Sequence, residues 1–199
     1  RLTYAHMWNL REVSSLMGKR TFSCPLALPT VAALTPSHYD IRIINEDIEA
    51  IPFDAKPDIV GITTMVPTIG RAYEIADAFR GRGIPVVMGG TYATFNAEEV
   101  LEHVTSVVVG EAEGAWQRLL SDFEAGALRR TYSSESPTEF KRSPPPRWDL
   151  VDTGGLLVLG VQVSRGCPYR CEFCLVSKMF GNHQRYRELD DVVPEIEAL

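Results

Sequence analysis

The sequence predicts an α/β protein whose first part is an open parallel sheet covered by helices. Three observations carry this. Between residues 39 and 126, short runs rich in β-branched residues alternate with segments whose apolar side chains recur every three or four positions. Glycines close the helical segments. The strand-like runs are apolar almost throughout rather than alternating, as strands covered on both faces require.

Taken in order, "RLTYAHMW" (1–8) reads as a first strand and its exit, and "SSLMGKRTFSC" as a loop. "LPTVAALTP" (28–36) is a short helix ended by Pro36, and "YDIRIINE" is a strand that stops at an acidic turn. "DIVGITTM" is the next strand. "TIGRAYEIADAFRGRG" then places Ile69, Ala72, Ile75, Ala76 and Phe79 on one helical face, with Gly81 and Gly83 closing it. "IPVVMGG" is a strand, and "NAEEVLEHV" a helix capped by Asn96 with Glu98 and Glu99 near its positive end. "SVVVGEA" and "GAWQRLLSDFEAG" repeat the alternation. Residues 1–130 therefore predict one domain of about five parallel strands. Residues 131–153 predict a linker, rich in serine and proline and without apolar periodicity. Residues 154–199 begin a second domain: "LLVLGVQVS" reads as a buried strand, a cysteine loop follows, and "LDDVVPEIEAL" is a helix despite Pro194. One strand, one loop and one helix bury too little to stand alone, so this segment is expected to be incomplete.

Composition narrows the function classes. With 45% hydrophobic and 23% charged residues the chain can bury a sizeable core. A net charge of −6 argues against nucleic acid or an anionic membrane as the partner. Arg165, Arg170, Lys178, Arg185 and Arg187 gather near the C-terminal end and read as a solvated basic surface. The longest apolar run, "GGLLVLGVQV" (154–163), is about half of what a membrane-spanning helix needs. No secretory signal pattern is present, and four cysteines are too few for a disulfide scaffold, so a reducing, cytoplasmic setting is expected.

The chemistry concentrates in "SRGCPYRCEFC" (164–174). Three of the four cysteines sit here, at Cys167, Cys171 and Cys174. Thiolates select zinc, cuprous copper or iron–sulfur clusters. Structural zinc wants four ligands, and only His183 offers a nearby fourth. A 4Fe–4S cluster held by three thiolates instead keeps one iron free of protein ligands. The C-x3-C-x2-C pattern, with Phe173 before the last cysteine and a strand before the first, resembles the radical S-adenosylmethionine (SAM) superfamily. That resemblance implies that Cys167, Cys171 and Cys174 hold a 4Fe–4S cluster, that SAM chelates its fourth iron, and that Phe173 lies beside the adenine. It also implies reductive cleavage of SAM to a 5′-deoxyadenosyl radical, with residues 154–199 as the first βα unit of a partial (βα) barrel.

In a parallel sheet, ligands settle at the carboxyl ends of the strands. Those ends carry Thr63 and Thr64, then Gly89, Gly90 and Thr91, then Gly110, Glu111 and Glu113. Taken singly these are ordinary turn residues, and Glu111 with Glu113 reads as a solvated helix entrance. Their order, with "LPTVAAL", "DIVGITT", "VVMGGTYAT" and "VVVGEAE" as anchors, resembles the Rossmann-like (flavodoxin-like) cobalamin-binding domain that precedes many radical SAM cores. The resemblance implies that Thr63, Thr64, Gly89, Gly90, Thr91, Gly110 and Glu111 contact cobalamin. The chain lacks the D-x-H-x-x-G motif of some cobalamin domains; "YAHMWN" has Tyr4 and Asn9 in the flanking places, so His6 is a weak candidate for a lower cobalt ligand and reads better as a structural histidine. "PPRWDLV" (145–151) resembles the inter-domain segment of such proteins, with Trp148 as a packing anchor. Cys24 reads as an inert thiol, and Tyr169, Arg170 and Glu172 carry no assigned chemistry.

Together the resemblances imply a cobalamin-dependent radical SAM enzyme, a methyltransferase with methylcobalamin as donor. Its substrate would be small or lipid-like, and an external donor such as flavodoxin or ferredoxin would supply electrons. Two alternatives stay open. One keeps the radical but performs cyclisation, ring contraction or oxidation without methyl transfer. The other is a non-enzymatic flavodoxin-like binding module with a structural zinc loop.

Overall fold

The computed structural model describes residues 11–134, 140 and 143–199. The expected first strand (1–8) and His6 lie outside the described residues. The chain forms two compact units that interleave along the sequence, one from 1–52, 144–163 and 188–199, the other from 53–143 and 164–187.

The second unit is built on a parallel sheet of four strands, β1 (Val60–Thr63), β2 (Val86–Gly89), β3 (Ser106–Val109) and β4 (Thr131–Ser133), in the order β1-β2-β3-β4. Register is continuous from Val60 opposite Val86 to Thr63 opposite Gly89, and from Val107 opposite Thr131 to Val109 opposite Ser133. The central strands β2 and β3 are buried, Val86, Met88 and Val107 completely, as their unbroken apolar runs anticipate. Helix α3 (Ile69–Arg80) buries Ala72, Ala76 and Phe79 on the expected face, and Gly83 at φ 78° ends it. Helix α6 (Trp116–Glu124) buries Leu119 and Leu120 before Gly126 at φ 66°.

Three expectations change here. Thr131–Ser133 were assigned to a linker but form the edge strand, because Tyr132 at 1% exposure anchors them to the core. Between β2 and helix α5 (Ala97–His103) stands a further helix, α4 (Thr91–Phe95). Asn96 stands at the N-cap of α5 as expected, but its side chain does not cap it: its backbone N–H and its side-chain amide both donate back to the Tyr92 carbonyl of α4, at 3.0 and 3.1 Å. The remainder of the unit is an antiparallel hairpin, β5 (Ser164–Arg165) against β6 (Arg185–Tyr186), enclosing the cysteine loop and α7 (Leu175–Phe180).

The first unit contains α1 (Arg11–Leu16), α2 (Ala27–Leu34) and α8 (Leu189–Ala198) joined by extended chain. The expected strand "YDIRIINE" is extended but finds no ladder partner among the described residues, and a strand exists only through such partners. The long strand expected in "LLVLGVQVS" shrinks to Ser164–Arg165 for the same reason. The Leu157 and Val158 amides donate instead to Thr21 and Phe22 carbonyls at 3.0 and 2.8 Å. Trp148 is half-buried, with its indole N–H 3.5 Å from a carboxylate oxygen of the buried Glu195. No helix among the described residues is long and apolar enough to cross a membrane.

Candidate functional site

The seven residues expected at the strand ends all lie there. Thr63 stands opposite Gly89 in the ladder, and the Thr64 amide continues it by donating to the Gly89 carbonyl at 3.0 Å. Thr64 is 2% exposed; its hydroxyl is 3.2 Å from that of Thr68. Gly90, at φ 97°, turns the chain into α4, so that Thr91 opens that helix. The Thr94 hydroxyl donates to the Gly90 carbonyl at 2.8 Å and accepts the Gly110 N–H at 3.0 Å, tying the exits of β2 and β3 together.

The glycines differ in what they leave open. A Cβ on Gly90 would stand 2.5 Å from the Thr64 carbonyl oxygen, so this glycine serves the fold's own close packing. A Cβ on Gly110, at φ 79°, would meet nothing within 4 Å. Gly110 is thus the strand exit where a bulky group can approach the backbone. The open backbone at Gly110, rather than the engaged hydroxyls of Thr64 and Thr94, is the feature here that leaves room for a bulky ligand.

The cysteine loop belongs to the same unit. Gly166 at φ 94° turns it out of β5, and Cys167 donates its backbone N–H to the Gly181 carbonyl at 3.4 Å. A turn from Cys171 to Cys174, closed by a 3.1 Å hydrogen bond, leads into α7. Cys171 is exposed, and Cys167 and Cys174 are half-buried. Phe173 is 90% exposed. No three His, Cys, Asp or Glu side chains among the described residues are grouped as a metal-binding set, so the thiols share a loop without converging. In chemistry the donor set fits an iron–sulfur cluster. His183, the possible fourth zinc ligand, is exposed, and its backbone packs against Gly166.

Two contacts among the described residues join the two regions. Helix α4, opened by Thr91, packs against α7, which follows Cys174. Glu111 and Glu113, in the turn after β3, pair with the arginines of the hairpin. Arg165 reaches Glu113 at 2.6 Å and Glu111 at 3.6 Å. Arg185 grips Glu111 with two nitrogens, one of them at 3.0 Å. The two glutamates were expected to be solvated, yet their side chains are 6% and 9% exposed. Of the basic residues expected on the surface, Arg170 and Lys178 are exposed, but Arg185 is half-buried and Arg165 and Arg187 are buried. For the glutamates and for Arg165 the cause is the same: opposite charges from distant segments neutralise each other and can leave water. The Glu111 carboxylate raises the pKa of the Arg185 guanidinium, against the opposing effect of burial. Glu111, expected to contact cobalamin, therefore has its carboxylate engaged by arginine.

Residues 24–120 match the B12 binding domain family. The chain carries a B12-binding domain. The strand exits just described are those of that domain. Over 171 residues the chain is 34% identical to a bacteriochlorophyllide d C-8(2)-methyltransferase of Chlorobaculum tepidum, covering 82% of this chain and 38% of that protein. A bacteriochlorophyllide d C-12(1)-methyltransferase of the same organism is 29% identical over 194 residues, covering 94% and 42%. An anaerobic magnesium-protoporphyrin IX monomethyl ester cyclase of Cereibacter sphaeroides is 29% identical over 181 residues, covering 73% and 28%. The chain spans less than half the length of these curated relatives.

Proposed function

We propose that this chain supplies the cobalamin-binding domain and the cluster loop of a cobalamin-dependent radical SAM methyltransferase. The observation that carries the reading is the packing of α4 on α7, which brings the helix opened by Thr91 against the helix that follows Cys174. The methyltransferase activity named for the relatives supports the reaction type. When bound, cobalamin supplies a transferable methyl group, and the cluster with SAM supplies a 5′-deoxyadenosyl radical. Cys167, Cys171 and Cys174 would hold the cluster, leaving one iron for SAM, with Phe173 against the adenine. Thr63, Gly89, Thr91 and Gly110 would hold cobalamin at the strand ends, with Gly90 and the buried Thr64 shaping the turn behind them. The substrate is small or lipid-like and the electron donor a flavodoxin or ferredoxin, in a cytoplasmic setting.

The test is anaerobic reconstitution of the full-length protein with iron, sulfide and hydroxocobalamin. Incorporation of about four irons per chain is expected, abolished by Ala at any of the three loop cysteines. Methyl-labelled SAM should give labelled product. Protein that retains no corrin refutes the cobalamin half; stoichiometric zinc without iron refutes the radical half and favours a structural zinc loop. The cyclase relative favours one second reading, a radical reaction without methyl transfer, and unlabelled product would select it.

A further inference from the structure

Arg165 and Arg185 stand directly opposite one another in the antiparallel hairpin. Like charges in that position repel, and both side chains are largely removed from water, at 9% and 19% exposure. Such a pair is tolerable only with counter-charge built in. Glu111 and Glu113 supply it, so two positive and two negative side chains form a neutral cluster. Aromatic rings close it: the Arg165 guanidinium lies 4.5 Å from the Phe140 ring centroid and 5.6 Å from that of Phe180. Arg185 also donates to the Phe180 carbonyl at 3.1 Å, at the end of α7.

We propose that Glu111 and Glu113 are positioning residues, a latch by which the turn after β3 fixes the β5–β6 hairpin and so sets where the cysteine loop stands relative to the strand ends. Removing one carboxylate takes away part of the counter-charge of two largely buried arginines, which favours release of the hairpin. The side of the latch facing the sheet is continuous with the cofactor edge. Glu111 follows Gly110, whose N–H bonds Thr94, which bonds Gly90. The consequence for catalysis rests on the reading of the loop as a cluster site; the latch itself does not.

Hydrogen exchange on the full-length protein tests it. In Glu111→Gln, amides of 164–187 should exchange at least about tenfold faster, with β1–β3 unchanged. The charge-reversed pair Glu111→Lys with Arg185→Glu should restore protection, and Glu113→Gln should act as Glu111→Gln does, more weakly. Iron-loaded Glu111→Gln should keep its iron but change the electron paramagnetic resonance signature of the reduced cluster on addition of SAM. Unchanged exchange in 164–187 overturns the proposal. So does an equal rise across β1–β3, which marks general loss of stability. Should the parent bind no iron, the functional reading fails while the exchange result still decides the latch.

Discussion

Gly90 lies so close to Thr64 that no other residue fits the position. An added Cβ would stand 2.5 Å from the Thr64 carbonyl oxygen and 2.9 Å from its nitrogen. Both are backbone atoms, the nitrogen bonded to the Gly89 carbonyl and the oxygen to the Tyr92 N–H, so the clash cannot be relieved by turning a side chain. The φ of 97° with ψ of −176° is moreover a region open almost only to glycine. Gly90→Ala should cost at least about 2 kcal/mol in urea unfolding. It should also lower corrin retention, since the exits of β1 and β2 must move apart. A variant of parental stability would show that the turn is looser than described.

Gly166 makes the same argument for the cysteine loop. A Cβ there, at φ 94°, would run into the His183 carbonyl oxygen and stand 3.4 Å from that of Gly181. These atoms belong to the returning arm of the hairpin, so the loop would have to open. Gly166→Ala should reduce iron incorporation severalfold while the unfolding of the sheet stays within about 0.5 kcal/mol of the parent. Full iron loading in this variant would mean that the loop tolerates a different path.

Cys24 should behave unlike the three loop cysteines. It is 8% exposed, and burial pushes its thiol from 9.0 up to about 11. Folding therefore favours the protonated thiol. Any stability this contributes is present below pH 9 and is lost as pH rises towards 11. Alkylation of the native protein near pH 8, followed by peptide mass spectrometry, should label the exposed Cys171 rapidly and Cys24 only after unfolding. Rapid labelling of Cys24 in the native protein would contradict its burial.

Local patterns were legible in the sequence, and distant pairings were not. The faces of α3 and α6 follow from spacing alone, because a helix repeats its burial every turn. The strand exits at Thr63, Gly89 and Gly110 follow from apolar runs that end in small residues. The short α4 escaped because five residues carry too little periodicity. Glu111 and Glu113 were misread as solvated because their partners lie 74 and 52 residues further on. A carboxylate pair beside a buried strand, with arginines flanking a cysteine loop downstream, was the available signal. "YDIRIINE" failed in the other direction: its composition suits a strand, but composition cannot provide a neighbour.

The edge strand offers the last test, since serine-rich sequence hid it. The Tyr132 hydroxyl donates to Asp122 at 3.0 Å and accepts the Arg129 N–H at 2.8 Å, with the ring fully enclosed. Burial is the leading cause of its raised pKa, so the phenol stays protonated and available as a donor. Tyr132→Phe keeps the ring and removes only the hydroxyl. Arg129 then loses its acceptor in a part-buried place, while Asp122 keeps the Arg129 guanidinium at 2.9 Å. The cost should be about 1 to 2 kcal/mol in urea unfolding. Tyr169→Phe, at a side chain 72% exposed, should fall within about 0.5 kcal/mol of the parent. Equal effects from the two substitutions would mean that Thr131–Ser133 is a passing contact and not the fourth strand.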